Sequence, residues 1–364
     1  MQRPPILVFA QSGRFIAESA ARAGYPVRVA DCFADSDTRA VAENFIQLPS
    51  FDALSESELL QSLVSLSRDE ACLLICGTGI ERFYSVLSQL PAHIEFIGNS
   101  PQTLALVRDP QHFFSLLDQL QLPYPPTSLT LAPVPNPLRK RLDSAGGTEV
   151  SADNKPLAPG EFYQQKIDGE ARSVCFIANG VDFTILGWNR QVNLPGQFLL
   201  QQIWQYAAVP AEHAADLTLL LGRLVKATGL RGFNSLDYIV TADDEIFILE
   251  INPRISASLE LLAAAPCLQW QIDSSRGMAL RDMPRHAEKT PIRLLHYCFA
   301  ESDLEVADTP LWPMPCHDLP LPGTQIRKDQ VICTVILAAE SEQTCNEQLT
   351  DCQQKLMKNC LIQA

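Results

Sequence analysis

The stretch Ser235-Leu236-Asp237-Tyr238-Ile239-Val240-Thr241-Ala242-Asp243-Asp244-Glu245-Ile246-Phe247-Ile248-Leu249-Glu250-Ile251-Asn252-Pro253-Arg254 decides how this chain is read. Two runs rich in β-branched and aromatic residues flank a polar segment, the pattern of a β-hairpin. A turn centred between Asp243 and Asp244 sets Asp237 directly opposite Glu250. Alternation along the second strand sends Phe247, Leu249 and Ile251 to one face and Ile248, Glu250 and Asn252 to the other. Two carboxylates and an amide oxygen then converge. Directly opposed like charges cost a strand pair roughly 0.2–1 kcal/mol. A hard cation between them reverses that sign, and oxygen-only donors suit Mg²⁺ or Mn²⁺. The plainer alternative is an exposed strand pair whose charges face water. Arg254 weighs against it, because it places a cation where phosphate or carboxylate would approach.

The rest of the chain supplies a setting for that hairpin. Its 364 residues exceed the usual span of one hydrophobic core, and 46% hydrophobic with 19% charged residues is ordinary for a soluble globular protein. A formal charge of −14 makes nucleic acid and anionic membrane poor partners. A polyanion such as ATP could bind only through a few placed cations and a divalent metal. The start does not read as a signal peptide, and no window is apolar enough to span a membrane, so a cytoplasmic enzyme is expected. Eleven cysteines without a CxxC pair read as free thiols.

The first hundred residues alternate in βα fashion. Strands are expected at 6–10, 27–31, 71–76 and 95–98, with helices at 15–23 and 81–90. This is an α/β pattern implying a doubly wound parallel sheet, whose ligands collect where strands end in loops. Gln11–Arg14 and Gly77–Glu81 are the candidate substrate loops. Gly77-x-Gly79 lacks the third glycine of a dinucleotide site, and no P-loop occurs. A helix follows Pro110, strands resume at 162–167, 172–178 and 183–188, and a helix over 211–228 leads into the hairpin. Strands near 294–299 and 331–338 and a terminal helix complete the chain.

Ile248-Leu249-Glu250-Ile251-Asn252-Pro253-Arg254, with Asp237 upstream, resembles the metal-binding end of the ATP-grasp superfamily, which includes D-alanine–D-alanine ligase and biotin carboxylase. Upstream, residues 138–147, with Lys140, Gly146 and Gly147, are similar to the strand lysine and small-residue loop that close over ATP phosphates. Tyr163-Gln164-Gln165-Lys166-Ile167-Asp168-Gly169-Glu170 resembles the hinge that holds adenine. A lysine neutralises phosphate, and glycines let backbone N–H groups approach it. Gln165 and Ile167 offer backbone groups, Gln164 an amide for the adenine amino group, and Glu170 a ribose partner. Two departures stand out. Asp109 is followed by Pro110 where relatives carry a second ATP lysine, leaving Arg108 or His112 as substitutes. Gln164-Gln165 stands where Glu is common. Residues 31–39 and 77–81, with pieces near 322–335, further resemble a subgroup tied to tetrahydromethanopterin- and methanofuran-linked one-carbon metabolism, related to tyramine–glutamate ligase.

The resemblance implies an ATP-grasp fold in four parts: a Rossmann-like domain (1–100), a lid subdomain with a linker helix (101–165), a subdomain bearing the metal site (166–289) and a strand/helix extension (290–364). It implies an ADP-forming ligase that activates a small carboxylate as an acyl phosphate for attack by an amine. Asp237, Glu250 and Asn252 would hold Mg²⁺, Arg254 and Lys140 would serve the phosphoryl transfer, and residues 143–148 would act as a lid. A homodimer is compatible with this. A bicarbonate-using carboxylase, a non-catalytic nucleotide-binding protein and a merely polar hairpin are the rival expectations.

Overall fold

A computed structural model describes residues 3–130, 134–141, 146–206, 209–262, 267–280 and 291–363. Near the N-terminus, β1 (Ile6–Ala10), β2 (Val27–Asp31), β3 (Asn44–Gln47), β4 (Cys72–Cys76) and β5 (Ile94–Phe96) form a parallel sheet in the order β3-β2-β1-β4-β5. β1, β2 and β4 are buried along their whole length. Helices cover both faces of such a sheet, so its central strands read as near-unbroken apolar runs. The strand order reverses between β1 and β4, and the loops that follow them meet there: the Gln11 N–H donates to the Thr78 carbonyl at 2.8 Å. Both expected substrate loops therefore share one crevice.

The expected helix over 81–90 is replaced by a 3₁₀ turn, Ile80–Arg82, and a single helical turn, Tyr84–Leu87. Glu81 turns its carboxylate inward, where it accepts the Gly79 N–H at 2.8 Å and binds Arg254. That fixes the backbone before a regular helix can propagate. Gly79 itself has φ +113°, and a ring of Phe51 fills the space a Cβ would need. Further on, the helix expected after Pro110 spans Pro110–Gln119, and a further helix, Pro101–Arg108, stands before it. Each opens with a proline after a capping side chain, Ser100 or Asp109. Pro110 lacks the N–H that would continue the first helix, so that helix ends at Arg108.

β6 (Thr127–Ser128), β7 (Pro137–Arg141), β8 (Val150–Ser151) and β9 (Glu161–Gln165) make a small antiparallel sheet in the order β6-β9-β7-β8. A larger antiparallel sheet contains β10 (Glu170–Asn179), β11 (Phe183–Asn193), β12 (Leu200–Tyr206), β13 (Arg231–Val240) and β14 (Ile246–Asn252). β15 (Ile292–Phe299), β17 (Cys316–His317) and β19 (Val331–Ala339) continue that sheet beyond β12. A three-stranded sheet of β16 (Leu304–Val306), β18 (Gln325–Ile326) and β20 (Leu361–Gln363) stands beside it.

The two faces of the large sheet explain how the hairpin is positioned. On one face, Leu217, Leu221 and Leu224 of the helix Ala211–Thr228 pack on Val174, Phe176, Leu236 and Ile251. On the other, Cys175, Ile177 and Phe233 share a core with Leu268 and Ile272 and with Ile6, Val8 and Val29 of the N-terminal sheet. One continuous core thus holds the loops after β1 and β4 against the hairpin. The cysteines are free, and among the described residues no helix is long and apolar enough to cross a membrane.

Candidate active site

The hairpin pairs Asp237 with Glu250, Leu236 with Ile251 and Ser235 with Asn252, as the sequence leads one to expect. The route to that register differs. Nearer the turn, Val240 faces Ile246, Ile239 faces Phe247 and Tyr238 faces Ile248. The turn is therefore centred on Asp243, half a residue earlier than expected, with Asp244 at φ +62°. Leu249 is the extra residue of a β-bulge, which brings Asp237 and Glu250 back into register. The bulge also corrects the expected facing. Ile248 does not share the face of Glu250; it lies with Ile251 in the core under the helix Ala211–Thr228.

Around the two carboxylates the polar groups are dense. Asn252 turns its Nδ2 toward them, 3.2 Å from Asp237 Oδ2 and 3.5 Å from Glu250 Oε1, while its Oδ1 accepts from Arg254 Nη2 at 3.2 Å. Gln191 Nε2 donates to Asp237 Oδ1 at 3.3 Å. Burial, and after it the facing charge of Glu250, push the Asp237 carboxyl up to about 7. Arg108 Nη1 stands 3.6 Å from Glu250 Oε2, whereas His112 is exposed and pairs with Asp109 on its own helix. Of the two cations weighed against the missing lysine, only Arg108 faces the carboxylates.

Arg254 is buried, and Glu81 grips its Nε. Burial alone would raise the Glu81 carboxyl, yet Arg254 and Arg108 together hold it below the ordinary value. Neither Glu81 nor Gln191 was singled out from the sequence as part of the site. Glu81 lies in a loop that was, but the partner that buries it comes from 173 residues away.

Lys140, on β7, lies across from the hairpin and donates to Gln164 Oε1 at 2.7 Å. Burial lowers its pKa, and Glu250 and Asp237 pull the other way. Gln164 is buried and also donates to Thr127 Oγ1 at 3.1 Å. Its amide, expected at adenine, is thus engaged in orienting Lys140. In the hinge, the Gln165 N–H donates to Pro126 O at 2.8 Å and the Lys166 N–H to Asn136 O at 2.9 Å. Ile167 follows in the extended link to β10, and Glu170 is held by Arg172 Nη2 at 2.7 Å.

Residues 143–145 of the expected glycine loop lie outside the described residues. Gly146 and Gly147 both have positive φ, +63° and +78°. The Gly146 carbonyl accepts the Leu200 N–H at 3.1 Å, and a Cβ on Gly147 would run into the Phe198 carbonyl oxygen. The glycine pair is therefore docked on the β11–β12 connection. Arg82 adds a tie from the N-terminal sheet, donating to Glu149 Oε2 at 3.1 Å. A cleft of about 580 Å³ lined by Asn99, Gly229 and Arg231 opens elsewhere and contains none of the residues above.

Comparison with known proteins meets this geometry. Residues 108–258 match the ATP-grasp domain family. The whole chain is similar to an L-amino acid ligase from Bacillus licheniformis, at 15% identity and a TM-score of 0.71, covering 100% of both chains. It is similar to the biotin carboxylase domain of 2-oxoglutarate carboxylase from Hydrogenobacter thermophilus, solved with MgADP, ADP and bicarbonate. There the identity is 13% and the TM-score 0.74, over 96% of this chain and 89% of that one. N5-carboxyaminoimidazole synthetase from Staphylococcus aureus, complexed with ADP, is similar at 14% identity and a TM-score of 0.68, over 96% and 97%. A comparison with curated protein sequences found no match. The chain has the ATP-grasp fold, and the matched domain contains the carboxylate hairpin, Lys140 and the hinge.

Proposed function

We propose that this protein is an ATP-dependent, ADP-forming ligase that activates a small carboxylate as an acyl phosphate for attack by an amine. One observation carries the reading: Asp237 and Glu250 are held face to face while Lys140, Arg108 and Arg254 converge on them. Opposed carboxylates flanked by three basic side chains suit a magnesium nucleotide better than a structural role.

The donors fit Mg²⁺, being hard oxygens; burial, and after it the charge of Glu250, raises the Asp237 carboxyl, and a divalent ion would offset both. Asp237 and Glu250 would hold it, and Asn252 would join them once its amide turns to present oxygen. Bound there, the ion would neutralise charge across the β- and γ-phosphates. Lys140, steadied by Gln164, would bind phosphate. Arg254, fixed by Glu81, would stabilise charge on the transferring phosphoryl group and on the oxyanion formed as the amine attacks. The Gln165 carbonyl and Ile167 N–H would meet adenine, and Glu170 the ribose. Gly146 and Gly147 belong to the lid that would exclude water from the acyl phosphate. The sequence likeness over 31–39 and 77–81 supports substrates within one-carbon cofactor chemistry, in a cytoplasmic enzyme.

Glu250→Gln is the direct test. It should abolish substrate-dependent ADP release while the apo protein melts as before. Full turnover in that variant would end the metal assignment. ¹⁸O passing from substrate carboxylate into phosphate, with a free amine required, marks the ligase and separates it from a bicarbonate-using carboxylase.

A further inference from the structure

A second concentration of buried charge lies where the N-terminal sheet meets the last third of the chain. Arg14, 1% exposed, opens the helix Arg14–Arg22. Its Nε donates to Asp318 Oδ1 at 2.9 Å, its Nη1 to Glu18 Oε2 at 3.4 Å and its Nη2 to Glu260, with Asp37 Oδ2 at 3.8 Å from Nε. Asp35 feels the charges of Arg14, Asp318, Asp31 and Asp37, and Asp31 that of Asp318. Glu18, Asp37, Glu260 and Asp318 thus gather around one guanidinium, with Asp31 and Asp35 beside them.

Most of these acids are already engaged. Asp31 accepts the N–H groups of Gly13, Phe33 and Ala34, and Asp37 those of Asp318 and Leu319. Asp318 also accepts from Ser12 Oγ at 2.7 Å. Asp35 is the exception. It is 4% exposed, and its Oδ2 has no hydrogen-bond partner among the described residues; nor does Thr38 Oγ1 one turn further on. A buried carboxyl oxygen left without a partner is costly, and an arriving donor would satisfy it. The field agrees. Burial, and then Asp318, Asp31 and Asp37, push the Asp35 carboxyl up to about 8, and burial takes Glu260 up to about 7 despite Arg14.

We propose that this acidic cluster binds an alkylammonium group of the amine substrate, with Asp35 Oδ2 as its principal acceptor. The proposal rests on the ligase reading above for the word substrate, not for the binding. The cluster sits on the loops after β1 and β2, at the carboxyl ends of the parallel strands where ligands of such sheets collect. It is also tied to the segment that carries the candidate active site: Glu260, which holds Arg14, lies in the 3₁₀ turn Ala257–Leu261 that follows Arg254. The acceptors are carboxylate oxygens already oriented by N–H donors, and the resident cation is itself held by hydrogen bonds. An ammonium, with three donors, binds in the same manner.

The experiment uses the full chain and four probes: n-butylamine, 1,4-diaminobutane, 1-butanol as neutral control, and Mn²⁺ without nucleotide. Calorimetry and thermal shift should show the amines binding and 1-butanol not. Asp35→Asn should weaken amine binding about tenfold or more while the shift given by Mg-ATP persists. Equal amine affinity in both proteins, no amine binding, or an Asp35-dependent response to Mn²⁺ alone would each overturn the site. If Asp35→Asn does not fold, a crystal of the native chain with 1,4-diaminobutane decides. A nitrogen within hydrogen-bond distance of Asp35 Oδ2 supports the proposal, and its absence refutes it. Amine binding at Asp35 without any Mg-ATP shift would support the site and overturn the ligase reading.

Discussion

Glu81, from the loop after β4, grips Arg254, from the segment after β14, across the crevice between the parallel sheet and the hairpin. The pair is buried on both sides, with side chains 1% and 8% exposed. A positioned cation is worth most where water is excluded, and here the position is set from the opposite wall.

Glu81→Gln keeps the shape and one acceptor but removes the charge that orients Arg254. Turnover should fall about 10- to 100-fold, with the thermal shift by Mg-ATP preserved. Glu81→Ala should cost about 3–5 kcal/mol of stability, since it removes the buried carboxylate that Arg254 pairs with and leaves the guanidinium only the Asn252 and Ile255 oxygens. Steady-state kinetics and melting curves measure both, and an unchanged kcat in Glu81→Gln would remove Arg254 from the mechanism.

Asp237 predicts a dependence on pH. In the folded apo protein its carboxyl titrates near 7 instead of 3.8. Between those values the folded chain holds a proton that the unfolded chain has released, so stability falls as pH rises through that window. Asp237→Asn removes the loss. Without metal, the variant should melt with the native protein near pH 4 and a few degrees above it at pH 8. Adding Mg²⁺ at pH 8 should raise the native melting temperature and leave the variant unmoved. A variant that melts lower at pH 8 would show that the carboxylate pair carries no strain.

Gln164 predicts a split between binding and turnover. Gln164→Leu takes away the acceptor of Lys140 and leaves the ammonium without its anchor. The KM for ATP should rise about tenfold, with kcat changed less. An equal loss in kcat with KM constant would argue that Lys140 acts only in the transition state.

The two glycines predict an order. Gly146→Ala meets open space and suffers only its positive φ, costing about 1 kcal/mol. Gly147→Ala suffers the same strain and also collides with the Phe198 carbonyl. It should destabilise more and loosen the glycine pair from the β11–β12 connection, seen as faster proteolysis near residue 147. Equal effects would mean that the docking seen here is not maintained.

What could be read from the sequence follows from how local each signal is. The parallel strands β1 and β4 are unbroken apolar runs, and the helix Ala211–Thr228 ends at a left-handed Gly229, so these announced themselves. β3 did not: Asn44–Gln47 is a half-exposed edge strand with no clean alternation. Glu81 was mistaken for the start of a helix because its partner is remote in sequence. The facing of Asp237 and Glu250 came out as expected because a turn centred half a residue earlier is offset by the bulge at Leu249. The side on which Ile248 lies was not legible, because a bulge leaves no mark in an alternating run of apolar residues.

The additional residue at Leu249 uncouples the length of the turn from the geometry of the acidic pair. Without Leu249 the strand would run straight from Ile248 to Glu250, with Glu250 still opposite Asp237 and Ile251 still opposite Leu236. The extra residue sets the local bend and twist instead, so its loss would re-aim the two carboxylates without changing the face they occupy. A single codon lost at this point would test whether aim alone, apart from facing, decides the chemistry.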